Sequence, residues 1–248
     1  MSAARGPIAL IGGTGLNNWA EMSVAEERSV DTPYGAPSAA LRFGTVCGAE
    51  VCFLARHGDG HKIPPHAINY RANLWALKHS GVSAVVAVAA VGSLDDRFEP
   101  GAVALPNDLI DYTWGRAHSY SDTADDALQH VEMTPAYATD LRNALHRAAQ
   151  DSETPLLVDG VLGVTQGPRL ETAAEVRRLR RDGCTMVGMT GMPEAALARE
   201  LDLPYACLAV SVNWGAGMVD GDIHAQIEAS IASGMSRVQR ILAAFLSA

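Results

Sequence analysis

The chain has 248 residues, 48% hydrophobic and 19% charged, with a formal net charge of -9. That length buries roughly 70–75% of the unfolded surface, which excludes a disordered polymer and fits one α/β domain or two small ones. The acidic balance, with a pI near 5.3, speaks against general polynucleotide binding, yet one or two local arginines can still hold a small anion.

The first strand-like run is Pro7–Ile11, with no apolar leader before it and no window long enough to span a bilayer. Cys47, Cys52, Cys184 and Cys207 form no C-x-x-C pair and read as buried free thiols. A cytoplasmic location is therefore expected. Further strand-like runs are Val51–Ala55, Ala84–Val91, Ala102–Leu105, Asp108–Tyr112, Leu156–Val164, Met186–Met189 and Tyr205–Val212. Helical spacing covers Ile68–His79, a segment starting at Thr134-Pro135 as N-cap and N1, Glu171–Asp182 and Pro193–Leu201. The last helix begins near Gly221 and carries an apolar stripe through Ile223, Ile227, Ile231, Met235, Val238, Leu242 and Phe245. Arg177, Arg178, Arg180 and Arg181 read as a solvated helix face opposite Ala173, Val176 and Leu179. No linker or repeat divides residues 1–248. These elements predict a single α/β domain with a central mixed β-sheet, partly barrel-like, flanked by helices.

Five segments at strand ends can carry chemistry, because ligands of α/β sheets collect there. Gly12-Gly13-Thr14-Gly15 is an anion turn or a plain tight turn. It lacks the third glycine and the acidic strand end of a dinucleotide fingerprint. Arg56-His57-Gly58-Asp59-Gly60-His61 has the composition of a bidentate oxyanion clamp, and His57, Asp59 and His61 also invite a metal reading. In Gly167-Pro168-Arg169-Leu170-Glu171-Thr172, Glu171 is either a first-turn carboxylate or a site acid. In Met189-Thr190-Gly191-Met192-Pro193-Glu194, Thr190 is an N-cap or an anion ligand and Met189 packs. Asn213, ending the apolar Val210-Ser211-Val212, is a buried amide needing partners or a turn residue.

Taken together and in register, these segments resemble the trimeric purine nucleoside phosphorylase and methylthioadenosine phosphorylase family over nearly the whole chain. Thr32-Pro33-Tyr34-Gly35, Arg56-His57-Gly58 and Asn69-Tyr70-Arg71-Ala72-Asn73-Leu74-Trp75 are similar to the branch acting on methylthio-nucleosides. The resemblance implies a nucleoside phosphorylase-like fold and phosphorolysis of a purine nucleoside, with inorganic phosphate as co-substrate, no metal and no organic cofactor. It implies phosphate contacts from Thr14, Arg56, His57, the Ala90 backbone and Thr190. Met189 is expected on the ribose, Leu170 over the base, and Asn213, Glu171 and His57 in catalysis. A homotrimer serving purine salvage is expected, with His118 as a candidate contribution from a neighbouring subunit.

Asn213 stands where adenine-selective relatives place Asp, and Glu171 matches the Glu that 6-oxopurine phosphorylases direct at N1–H. A carboxylate accepts from that N1–H but opposes the lone pair of adenine N1. The expected substrate is therefore a 6-oxopurine nucleoside, with S-methyl-5′-thioinosine leading. Two features depart from the family pattern. Ala89 replaces a polar residue near the phosphate, and His224 replaces an apolar residue at the 5′ end, which favours inosine or guanosine. Methylthioadenosine phosphorolysis, a metal-dependent hydrolase and a purine-binding regulatory module are the competing readings.

Overall fold

Alternate residues of the central strands feed two different cores, and this arrangement places helices on both faces of one sheet. A computed structural model describes residues 6–13, 15–16, 19–122, 128–220 and 223–248, without the side chains of His224 and Gln226. Its strands are β1 (Ile8–Gly12), β2 (Ser23–Arg28), β3 (Leu41–Val46), β4 (Ala49–Ala55), β5 (Ala84–Ser93), β6 (Val103–Ala104), β7 (Asp108–Asp111), β8 (Val161–Val164), β9 (Met186–Gly188) and β10 (Tyr205–Trp214). Its helices are α1 (Tyr70–His79), α2 (Thr139–Asp151), α3 (Ala173–Arg181), α4 (Glu194–Glu200) and α5 (Ile223–Ser247).

Ala9, Ile11, Cys52, Leu54, Val85, Ala87, Cys207 and Ala209 pack with Leu74 and Leu77 of α1 and Leu197 of α4. The intervening Leu10, Phe53, Val86, Val88, Leu208 and Val210 pack with Leu145 of α2 and Val238, Ile241 and Leu242 of α5. The period of two that exposes one side chain to each face is the cause. α3 closes a third, smaller core over β8 and β9 through Val176, Leu179 and Val187.

The ladder runs β2-β3-β4-β1-β5-β9-β8-β7, with β10 joining β5 and β6 joining β10. β1 pairs in parallel with β4 and β5, and β10 in parallel with β5. The β3–β4 and β5–β9 pairs are antiparallel, so the sheet is mixed as expected. β5 carries three neighbours (β1, β9 and β10), and the sheet forks there.

Several local expectations are corrected. β2 and β3 were not anticipated, because β2 is exposed along its length and lacks apolar alternation. The run Leu156–Val164 is strand only from Val161, since Gly160 at φ 140 donates its N–H to the side-chain oxygens of Asn107 and Asp159. Thr134-Pro135 does not start α2. Ala138 precedes the helix with its N–H on Tyr205 O, and Pro135 O accepts from Arg199, which holds that segment out of the helix. Glu171 lies outside the first turn of α3: Thr172 is the N-cap and Glu175 completes its capping box. Thr190 is likewise no N-cap, because Pro193 precedes α4. Cys47 is exposed in the β3–β4 turn at φ 51, whereas Cys52, Cys184 and Cys207 are buried; all four are free. Among the described residues no helix is long and apolar enough to cross a membrane.

Candidate active site

The C-terminal ends of β1, β4, β5, β9 and β10 meet at one cavity of about 370 Å³, a volume suited to a small molecule. Arg56, His57, Ala90, Leu170, Glu171, Met189, Thr190 and Asn213 all line it, as does Ala89. Thr14 lies outside the described residues, although Gly13 beside it lines the cavity. The side chain of His224 also lies outside them, while its neighbours Ile223 and Ile227 line the cavity.

Parallel pairing of Gly12 with Ala55 delivers Arg56 to the cavity floor, where its N–H donates to Gly12 O at 2.9 Å. The guanidinium is only 2% exposed. Its Nε and Nη2 donate to the two carboxylate oxygens of Glu194 at 2.8 Å each, and Nη1 donates to Val88 O at 2.9 Å. This corrects the expected clamp: the bidentate edge is occupied by a protein carboxylate, and two of five N–H groups remain for a ligand. Burial opposes the Arg56 charge, but Glu194 outweighs it and raises the pKa. Glu194 is fully buried and also accepts from Tyr205 Oη at 2.8 Å.

His57 Nδ1 lies 2.8 Å from Ile63 O. A carbonyl only accepts, so the proton sits on Nδ1 and leaves Nε2 as a lone pair. Burial lowers the His57 pKa to about 4, with Arg56 and the stacked His61 lowering it too and the Ile63 bond raising it. The imidazole is therefore neutral at pH 7. Thr190 is buried and lines the same cavity. Asp59 of the proposed metal triad is ion-paired with Arg42 at 2.7 Å. Among the described residues, no group of three His, Cys, Asp or Glu side chains could hold a metal.

Two local devices orient Asn213 and Glu171. A register shift between Ser211 and Asn213 puts Val212 and Asn213 on the same side, where a regular strand would alternate them. Asn213 Nδ2 then donates to Trp214 O at 2.7 Å, leaving one N–H and Oδ1 for a ligand. Glu171 accepts from Thr165 Oγ1 at 2.6 Å. Gly167 sits at φ 60, and a Cβ there would fall 2.5 Å from Met189 Sδ, so glycine lets the loop pass over that methionine. Leu170 is exposed at the mouth. Along α5, Ile223, Ile227, Ile231 and Met235 form an apolar wall with Leu16, Val210 and Val212.

Arg116 ties three stretches of chain together. It donates to Thr165 O, to Gln166 O and Oε1, to Tyr70 Oη and to Met192 O. Glu194, Thr165 and Arg116 escaped the sequence reading. Glu194 stood inside a quoted motif, but a carboxylate after proline reads as a helix first turn. His118 lies off this cavity, 3.5 Å from Asp111 and 3.3 Å from Thr113 Oγ1.

A cavity at strand ends that gathers a cation, a hydroxyl, an amide and a carboxylate can hold an anion together with a polar ring. Residues 7–247 match the phosphorylase superfamily, and the chain belongs to that family. It is 50% identical over 220 residues to a probable S-methyl-5′-thioinosine phosphorylase of Xanthomonas campestris, covering 89% of this chain and 88% of the relative. It is 43% identical to the 6-oxopurine nucleoside phosphorylase of Pyrococcus furiosus, covering 85% and 80%. Methylthioadenosine phosphorylase from Schistosoma mansoni, solved with tubercidin, superposes with a TM-score of 0.90 at 30% identity, covering 98% of this chain and 91% of that one.

Proposed function

We propose that the protein phosphorolyses the N-glycosidic bond of a 6-oxopurine nucleoside, with S-methyl-5′-thioinosine as its leading substrate. Inorganic phosphate is the co-substrate, and no metal or organic cofactor takes part. The products are hypoxanthine and 5-methylthioribose 1-phosphate. The observation that carries the reading is that one cavity gathers Arg56, His57 and Thr190, which suit an anion, with Asn213 and Glu171, which suit a purine edge, and the apolar wall of α5.

Breaking C1′–N9 leaves positive charge on the sugar and negative charge on the departing purine. A phosphate seated at Arg56 and Thr190, with Thr14 and the Ala90 amide, stabilises the first and then bonds to C1′. The Asn213 amide donates to N7 and stabilises the second. Glu171 accepts from N1–H, a hydrogen that adenine lacks. Met189 packs on the ribose and Leu170 covers the base. With Nδ1 tied to Ile63 O, His57 meets phosphate through Nε2, as acceptor of a P–OH proton or after taking up a proton. Ala89 leaves the site one phosphate- or ribose-facing polar group short of the usual family pattern.

The wall of Ile223, Ile227, Ile231 and Met235 suits a thioether better than a hydroxyl, which would lose water there without a partner. This favours methylthioinosine over inosine, while His224 favours the opposite. We place the enzyme in cytoplasmic purine salvage as a homotrimer. Turnover of methylthioinosine, inosine, guanosine and methylthioadenosine, with and without phosphate, tests the assignment. Phosphate-dependent cleavage fastest with methylthioinosine is expected. Cleavage indifferent to phosphate refutes phosphorolysis, and preference for methylthioadenosine refutes the base assignment.

A further inference from the structure

The reading above requires Glu171 to meet the base as an acceptor, and the following inference rests on it. The helix start does not hold Glu171, because Thr172 and Glu175 cap α3 between themselves. Among the described residues, one side chain does. Thr165, the residue after β8, places Oγ1 2.6 Å from Glu171 Oε1. That is the length of a hydroxyl donating to a charged carboxylate oxygen. The alternative acceptor for this hydroxyl, Gly188 O, is farther away at 3.4 Å. The backbone of Thr165 is fixed on both sides: its N–H donates to Gly188 O at 2.8 Å, and its carbonyl accepts from Arg116 Nη2 at 3.2 Å.

We infer that Thr165 is the positioning residue that sets base selectivity. A hydroxyl has one proton, and here it goes to Oε1. Glu171 is thereby turned so that Oε2 faces the ring as a lone pair, complementary to the N1–H of a 6-oxopurine. To receive a 6-aminopurine, whose N1 bears a lone pair, Glu171 would have to carry a proton on Oε2. That proton draws charge from Oε1 and weakens the short bond from Thr165. The hydroxyl thus adds to the cost of the wrong base without touching either base.

The test is the ratio of kcat/KM for methylthioinosine to that for methylthioadenosine, at saturating phosphate, in wild type, Thr165→Val, Thr165→Ser and Glu171→Gln. Thr165→Val keeps the shape and removes the donor; the ratio is expected to fall about tenfold, the weight of one charge-assisted hydrogen bond. The KM for phosphate should stay at its wild-type value, and Thr165→Ser should restore the ratio. If Thr165→Val does not fold, Thr165→Ala read against Thr165→Ser gives the same comparison. A ratio unchanged in Thr165→Val but lost in Glu171→Gln overturns the inference alone, as does an equal loss on both substrates. A wild type without 6-oxopurine preference, or Glu171→Gln retaining it, overturns the inference together with the reading beneath it.

Discussion

Removing Glu194 tests how Arg56 is held in the cavity. Arg56 and Glu194 are 2% and 0% exposed and share two hydrogen bonds of 2.8 Å. In Glu194→Ala the guanidinium keeps only Val88 O among these partners, and Tyr205 Oη loses its acceptor. Breaking one side of such a pair leaves a buried charge uncompensated and should cost about 3–5 kcal/mol. The orphaned Tyr205 hydroxyl belongs to the same network, so its cost overlaps with that figure. Urea unfolding at pH 7, with the slope held constant, measures the loss. The double variant Arg56→Met/Glu194→Ala removes both charges and, set against Arg56→Met and Glu194→Ala singly, should show a coupling of about 2 kcal/mol or more. Glu194→Gln, which keeps one acceptor oxygen, should fall between wild type and Glu194→Ala. The exposed pair Arg28–Glu26 is the control, and Glu26→Ala should leave the midpoint in place. A Glu194→Ala cost under about 1 kcal/mol, or additive single and double variants, refutes the reasoning.

Two further outcomes follow from the same cavity. His57 has its pKa lowered from 6.5 to about 4, so between those values the unfolded chain binds the extra proton and stability falls as the pH drops. The full shift corresponds to about 3 kcal/mol, and screening at this partly exposed ring reduces it to about 1–2 kcal/mol. Urea midpoints at pH 7 and pH 4.5 should therefore converge in His57→Asn relative to wild type; an unaltered pH slope would contradict the assignment. Asn213→Asp places an acceptor where the amide donates, and should raise methylthioadenosine turnover relative to methylthioinosine about tenfold. No gain in that ratio removes Asn213 from base selection.

The parts of the fold legible in the sequence are those where periodicity and burial coincide. Val85 to Val91 reads as a strand covered on both faces, and β5 is that strand, with three neighbours. β2 was illegible for the opposite reason, since an exposed edge strand leaves no apolar pattern. At the site, Arg56, His57, Thr190 and Asn213 were found because polar residues ending apolar strands require an explanation. The side chains that orient them were not. Glu194 reaches Arg56 across 138 residues of sequence, and Thr165 looks like any loop threonine until Glu171 stands beside it. The bulge that turns Asn213 into the cavity leaves no trace in residue type either.

Arg116 gives the molecule one further property. Every acceptor around its guanidinium is neutral, and these acceptors belong to three separate stretches: α1, the loop after β8 and the turn before α4. Burial lowers its pKa, with Tyr70 and the Asp111 carboxylate working against that shift. A shift of the loop carrying Glu171 strips donors from Thr165 and Gln166, and the same cation bears on Met192, three residues past Met189. Displacing any of these stretches therefore breaks bonds to a single cation, so the loop that leads to Glu171 and the turn that follows Met189 are tied through one side chain.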